Sequence, residues 1–256
     1  MSQLAMSIST IAVVGALVSA AVSTNAQNSS APNREPAYIS LNQLPSFAQP
    51  FLLASGNRLQ RPGSERVTVV GSVSRNQGQP TPIQVTWEFP QKIRIDERRA
   101  PIVFDQGNPA QRSPDPQSTD TTETLLEDSV EGFFANLREG STRLLGSGFR
   151  LQGAAQGTPS YDIVETWNRS KIRGGEAQTI KRYWFDRSNH LLSRVVYGSA
   201  VEGQLVEVFL SDWRDVQGER IPFTIERKEG GSTTLLLRIS SATVSPRIAD
   251  GLFPER

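Results

Sequence analysis

The chain has 256 residues with 27 Lys and Arg against 26 Asp and Glu, and a formal charge of +1 does not provide the concentrated basic field that nucleic-acid binding requires. The absence of cysteine excludes disulfides, thiolate metal sites, cysteine nucleophiles and a lipid-modified cysteine anchor. A single histidine, His190, leaves little for zinc binding or general-base catalysis.

The amino terminus has the pattern of an export signal. No charged side chain precedes Arg34, and the apolar run at residues 11–22 is shorter than the roughly 20 residues that a spanning helix needs. Thr24, Asn25 and Ala26 fit the cleavage positions, so residues 1–26 are predicted to be a signal peptide, although the usual Lys or Arg before the run is missing. The alternative is an uncleaved anchor or a misassigned start. The signal predicts a periplasmic or secreted protein with no integral membrane segment after cleavage.

Residues 27–64 are rich in Ser, Asn, Gln and Pro, which predicts a segment of low order with a possible short helix after Pro50. Beyond it, apolar and polar residues alternate with the period of two that is typical of strands. This period predicts strands at residues 67–73, 83–89, 92–96 and 101–104. Three prolines and no apolar periodicity then predict a mobile loop at residues 106–118.

One helix is predicted next, over residues 121–139. Asp120 with Glu123 three residues later resembles a capping box, and Gly140 suits its end. One face carries apolar residues at helical spacing, namely Leu126, Val130, Phe133, Phe134 and Leu137. Glu123, Glu127 and Glu131, with Asp128 beside them, lie opposite that stripe and are predicted to form a solvent-exposed acidic face rather than a carboxylate site.

The remaining chain predicts successive strands at residues 161–167, 179–186, 191–197, 204–213, 220–228 and 232–243. Short glycine-containing spacers separate several of them, and such connections form antiparallel hairpins rather than parallel crossovers. The predicted fold is mainly β, a meandering antiparallel sheet in one domain over residues 65–256, with one substantial helix.

Several of these strands are apolar on both faces, which raises the question of what covers them. Val206, Val208 and Leu210 alternate with Leu205 and Phe209, yet the sequence offers one long helix as cover. Two explanations remain open. Either the sheet closes on an ordinary packed core, or its concave face is an apolar cavity for a ligand.

Four segments resemble the outer-membrane lipoprotein-sorting (LolA/LolB-like) superfamily. They are Tyr183 to Asp186 followed by Leu191 to Arg194, then Asp212 to Phe223, Asp250 to Phe253, and the strand pair that ends with residues 87–96. The chain is most similar to uncharacterised secreted bacterial members, over residues 66–253. The resemblance implies an incomplete antiparallel β-barrel, a half-barrel whose concave side is covered by helix and holds acyl chains. It implies no catalytic residue.

These observations predict an exported, non-enzymatic protein that binds a lipid or lipoprotein acyl chain as a carrier or sensor. No cofactor, metal site or catalytic residue is predicted, and the possible partners are a lipid or an acylated protein, with the oligomeric state left open. The residues predicted to line the cavity belong to apolar rows of their own strand or helix, namely Trp87, Phe133, Leu137, Phe209 and Phe223. The alternative is an interaction scaffold of the cell envelope with a filled core.

Overall fold

Strands make up most of the computed structural model, which describes residues 38–89, 92–97, 101–105, 116–139, 141–151, 158–169, 178–198, 203–247 and 251–253. The predicted signal peptide at residues 1–26, most of the predicted loop at 106–118 and the predicted helix end at Gly140 lie outside these residues. The described residues belong to one compact unit, Pro36–Arg256.

Eleven antiparallel strands form a single open sheet, as the alternating pattern predicts. Every predicted strand is present, and one further strand, β5, is not among those predicted. The strands are β1 (Arg66–Arg75), β2 (Thr81–Glu88), β3 (Lys92–Asp96), β4 (Ile102–Asp105), β5 (Ser141–Phe149), β6 (Tyr161–Arg169), β7 (Gln178–Asp186), β8 (Leu192–Gly198), β9 (Leu205–Val216), β10 (Glu219–Glu229) and β11 (Ser232–Ser245).

The strand order is β4-β3-β2-β1-β11-β10-β9-β8-β7-β6-β5, so the pairing of β1 with β11 joins two meanders. The two edge strands, β4 and β5, are consecutive in the chain. The segment between them must therefore run from one edge of the sheet to the other. It contains the helices α2 (Pro116–Leu126) and α3 (Val130–Glu139).

Register and alternation define two faces of the sheet. The inner face carries a row of mutually paired residues that includes one cation, namely Val164, Tyr183, Val195, Val208 and Arg227. The outer face carries the neighbouring row, Ile163, Trp184, Arg194, Phe209 and Glu226.

Composition predicts low order for residues 27–64, whereas the described part of this segment, from residue 38, is packed against the domain. It contains short 3-10 turns at Leu41–Gln43 and Ser46–Ala48 and the short helix α1 (Gln49–Ser55). Phe51 and Leu52 of α1 are buried in the main core. The buried Glu219 accepts hydrogen bonds from the backbone N–H groups of Asn57 and Arg58, which ties the segment to β10.

The prediction of one continuous helix over residues 121–139 is wrong, because the helix begins earlier and breaks at residues 127–129. Asp120 consequently lies inside α2 rather than at its cap. Ser129 starts the second helix, since its hydroxyl accepts the N–H of Gly132 at 3.1 Å, as an N-cap residue does. A β-carbon on Gly132 would collide with the carbonyl oxygens of Leu126 and Glu127, so the break requires glycine here.

We expect Gly132→Ala to lower the free energy of unfolding by about 1–3 kcal/mol, because overpacking against backbone has no easy relief. Helix propensity alone predicts the opposite, a gain of about 1 kcal/mol. Urea unfolding measures the difference. Gly198→Ala is the matched control, since nothing lies near its added β-carbon. A more stable Gly132→Ala protein would contradict the packing of the break.

Candidate functional site

The break between α2 and α3 carries Asp128 into the inner face of the sheet. Its Oδ1 lies 2.6 Å from Nζ of Lys181 on β7, and its Oδ2 accepts the hydroxyl of Tyr197 on β8 at 2.9 Å. Arg227 on β10 places Nη1 3.4 Å from the same Oδ2 and donates to the Tyr197 oxygen at 3.0 Å. All four side chains are buried, so residues from three strands of the sheet hold the carboxylate of the helix break away from water.

Two more carboxylates of the helical segment join this ionic cluster. Glu123 lies 3.3 Å from Arg227, and Glu127 lies 3.6 Å from Lys181. The prediction of a solvent-exposed acidic face on the helix is therefore wrong, since Glu123 is 2% exposed and Asp128 is fully buried. The carboxylates turn inward because the sheet offers them two buried cations.

The surroundings of the ionic cluster raise the pKa of three buried side chains, Lys181, Tyr197 and Tyr183. Burial alone would lower the pKa of Lys181, but Asp128 together with Glu127 and the two neighbouring tyrosines outweighs burial and raises this pKa well above its ordinary value. Burial raises the pKa of Tyr197, and the Asp128 carboxylate raises it further. Burial likewise raises the pKa of Tyr183. The ammonium and both phenols therefore keep their protons well into the alkaline range.

Aromatic side chains pack beside the ionic cluster. Phe133 of α3 lies within 5.0 Å of Tyr183 and 4.9 Å of Phe185, measured between ring centroids, and Phe51 of α1 stacks on Phe185 at 3.8 Å. The Tyr183 hydroxyl donates to the carbonyl oxygen of Glu127 at 3.2 Å, at the start of the helix break. Apolar packing and polar anchoring thus meet at the same place on the inner face.

A second ionic contact joins α3 to the amino-terminal segment. Nε of Arg58 lies 2.7 Å from Oε1 of Glu131, and Nη1 donates to the carbonyl oxygens of Ser55 and Arg220. Arg58 also lies 3.5 Å from Glu219 of β10. The Arg58–Glu131 pair therefore links three separate parts of the chain with little exposure to water.

A small interior cavity lies between these helices and the sheet. Its volume is about 20 Å³, which suits one water molecule and no larger ligand. The cavity is lined by Arg58, Trp87, Thr124, Leu125, Ser129, Val130, Glu131, Leu210, Trp213, Ile221, Pro222 and Ile225. In this closed arrangement the inner face is a packed core.

Four of the five predicted lining residues lie in or against that core. Trp87 forms part of the cavity wall, and Phe133 is fully buried in the aromatic cluster. Leu137 is half-buried against the core. Phe223 is buried, with the guanidinium carbon of Arg214 4.1 Å from its ring centroid, but it does not line the cavity.

Phe209 lies apart from the other predicted residues, on the outer face. Alternation along β9 places it opposite Val208 and Leu210, which are buried on the inner face. The guanidinium carbon of Arg194 lies 5.2 Å from the ring centroid of Phe209 and 5.3 Å from that of Trp184, and Nζ of Lys228 lies 5.1 Å from the Phe209 centroid. The outer face of β9 has an apolar residue in its sequence because that residue belongs to a row of alternating aromatic rings and cations.

A larger groove lies at the rim where α1 meets the sheet, and sequence reasoning did not predict it. This rim groove has a volume of about 560 Å³ and is lined by Leu53, Ala54, Asn189, Leu191, Asp212, Trp213 and Arg220. Trp213 borders both the rim groove and the interior cavity. The only sequence signal for it was the Asp212–Trp213 pair in the segment that resembles the lipoprotein-sorting superfamily.

Within the described ranges, no three His, Asp or Glu side chains come together in a way that suits a metal ion. Among the same residues, no helix has the length and apolar character needed to cross a bilayer.

No family model matches this sequence, and no curated protein matches it significantly. Solved structures do. A LolA superfamily protein from Nitrosomonas europaea aligns with a TM-score of 0.51 at 14% identity, over 81% of this chain and 97% of that one. An outer membrane lipoprotein-sorting protein domain from Vibrio parahaemolyticus aligns at 0.50 and 11% identity, over 73% and 88%. A DUF1329 family protein from Desulfovibrio piger aligns at 0.51 and 13%, over 80% and 95%. The predicted resemblance is confirmed at the level of fold, which is LolA-like.

The raised pKa values predict that the protein loses stability in alkali. Above about pH 10 the unfolded chain releases protons from Lys and Tyr that the folded ionic cluster retains, so the free energy of unfolding falls as the pH rises. The slope is at most about 1.4 kcal/mol per pH unit for each of Lys181, Tyr183 and Tyr197. Urea unfolding between pH 8 and pH 11, a range that includes the ordinary pKa values of Tyr and Lys, measures it.

Tyr197→Phe removes one of these groups and should flatten the alkaline slope, besides costing about 1 kcal/mol at neutral pH for the hydrogen bond to Asp128. Tyr161→Phe is the matched control, because Tyr161 is only half-buried and packs on the outer-face Trp184. Equal alkaline slopes for the two variants would contradict the coupling of Tyr197 to Asp128.

Proposed function

We propose that this protein is an exported, non-enzymatic carrier or sensor that binds the acyl chain of a lipid or lipoprotein in a half-barrel, with α2 and α3 as a movable cover on its concave side. The observation that carries the proposal is the ionic cluster, which lies between this cover and the sheet and is called the ionic seam below. Asp128 on the helix break meets Lys181, Tyr197 and Arg227 on the strands.

An ionic seam favours a cover that separates from the sheet. Buried charges lose hydration when they pair, and water restores that hydration when the seam opens. Separating α2 and α3 thus exposes apolar area but also rehydrates Lys181, Arg227 and three carboxylates. A seam made only of apolar side chains gains no hydration on opening. The free energy needed to separate the helices from the sheet is therefore smaller for the ionic seam than for an apolar one.

The fold and the inner face support an acyl ligand. The Nitrosomonas structure with this fold is described as a LolA superfamily protein, and the Vibrio structure is described as an outer membrane lipoprotein-sorting protein domain. Val195, Val208 and Leu210 give the inner face carbon surface. Each buried methylene contributes about 0.8 kcal/mol, so a long chain binds well without a charged anchor. Trp87, Phe133, Leu137 and Phe223 remain our proposed lining of the opened cavity, and the outer-face Phe209 is left out.

Export completes the proposal. The signal predicted at residues 1–26 places the mature chain in the periplasm or outside the cell, where a carrier of lipids or acylated proteins operates between membranes. A carrier that operates there has to shield the acyl chain from water with its own apolar surface.

A second candidate, an interaction scaffold with a filled core, is favoured by a specific observation on the surface. Edge strand β5 exposes Leu144, Leu145 and Phe149, and the unpaired side of an edge strand is a place where other chains add. In this alternative the interior stays closed and the aromatic residues are ordinary core.

Titration of delipidated protein with a neutral, environment-sensitive monoacylglycerol probe separates the two candidates. A carrier gives saturable binding that hardly changes between low and high salt, because apolar burial is not screened as ion pairing is. The absence of saturable binding would favour the scaffold.

Glu131→Gln tests whether the cover opens. Losing the charge of the Arg58–Glu131 pair should lower stability by roughly 1 kcal/mol and, by raising the fraction of open protein, tighten the apparent affinity for the probe about fivefold. Glu226→Gln on the outer face is the matched control, since Glu226 contacts Lys228 and Thr233 there. Affinity that falls together with stability would rule out an opening cover.

A further inference from the structure

We propose that the rim groove is the uptake and head-group site for a single-chain amphiphile with an anionic head, and that Trp213 is the gate between this groove and the interior. This inference rests on the proposed function, because it names where the ligand enters and what its polar end contacts. The central observation is that one indole ring borders both the rim groove and the interior cavity.

The backbone beside Trp213 explains how the ring reaches that position. In a regular strand Leu210 and Trp213 would point to opposite faces, because they are three residues apart. Asp212 between them adopts a left-handed conformation with φ of 54°. Both side chains then line the same cavity. Non-glycine residues rarely adopt this conformation, and such backbone strain clusters at functional sites.

The indole nitrogen of Trp213 is a further exception. Nε1 is buried and has no hydrogen-bond partner within the described part of the chain. Buried indole N–H groups usually have a partner, and leaving one without a partner is unfavourable. If the indole ring turns toward the rim groove, its N–H gains access to water or to a ligand oxygen. No hydrogen bond of Nε1 therefore holds the ring in its buried position.

The lining of the rim groove matches an amphiphile. Leu53, Ala54 and Leu191 supply carbon surface, and Leu53 is 60% exposed. Asp212 is neutralised by Arg214, whose Nη2 lies 2.7 Å from Oδ2. Arg220 has no ion pair among the described residues, so the groove carries one net positive charge. The head group is therefore anionic, a carboxylate or a phosphate.

The size of the two spaces divides the ligand between them. The groove, at about 560 Å³, is within the range of small-molecule sites, whereas the cavity holds about 20 Å³. A head group and the first carbons fit outside. The acyl tail enters the interior only when Trp213 turns and α3 moves away from the sheet. The Arg58–Glu131 pair lines the interior cavity on the side of α3.

Competition against the neutral probe tests the head-group assignment with three ligands of equal chain length, a monoacylglycerol, a fatty acid and a lysophosphatidic acid. Arg220→Gln should weaken at least one anion by about two- to fivefold, as expected for an exposed charge contact, and leave the monoacylglycerol unchanged. The anion affected identifies carboxylate or phosphate. Arg238→Gln removes an equally exposed charge outside the groove and should change neither.

The gate is tested through uptake rates in a chain that contains no cysteine. Leu53→Cys modified with a bulky maleimide should slow uptake of the monoacylglycerol probe severalfold, while the same label on Leu205→Cys, also exposed but outside the groove, should not. Trp213→Ala should speed both uptake and release, and Trp213→Phe should stay near the wild-type rate.

The outcomes separate the two proposals. If the unmodified protein binds no probe at all, the carrier function fails. If it binds the probe but the Leu53 and Leu205 labels act alike, Trp213→Ala leaves the rates unchanged and Arg220→Gln has no anion-specific effect, the uptake site and gate are overturned while the carrier function stands.

Discussion

A buried carboxylate has to find its counter-charges inside the protein, and this requirement on Asp128 organises the domain. Lys181 on β7, Tyr197 on β8 and Arg227 on β10 converge on it. The helix must break at residues 127–129 to bring the carboxylate there, and the break in turn needs Ser129 as a cap and Gly132 for space. Removing one buried partner would leave an uncompensated charge, which is far more costly than losing a surface pair.

Sequence patterns predicted the sheet well because strand alternation is a local property. The exception is β5, whose Leu144 and Leu145 are consecutive and whose glycines interrupt any alternation. An edge strand tolerates this because only one neighbour constrains it. The helix break was missed for a related reason, since apolar spacing continues through it and the decisive contact is between Gly132 and backbone carbonyls.

The site was less predictable because its contacts are long-range. Nothing near Asp128 in the sequence announces cations that lie 53 and 99 residues away. The available signal was on the strands, where Lys181 and Arg227 interrupt apolar inner-face rows. Apolar neighbours in the sequence predict an interior position for Phe209, whereas its own face is completed by Arg194 and Lys228. An apolar residue on a two-faced strand does not say which face holds the core.

Several departures from ordinary packing border the interior cavity. Arg58 and Glu131 border it on the helical side, and the strained Asp212 turns Trp213 toward it from the other. An ordinary core would gain stability from replacing such groups with carbon, as buried ion pairs often show. Elsewhere the strands pair regularly apart from register shifts within β1, β5, β7 and β10. Proteins depart from these rules mainly where function requires it, so these unfavourable groups support our proposal that the inner face opens.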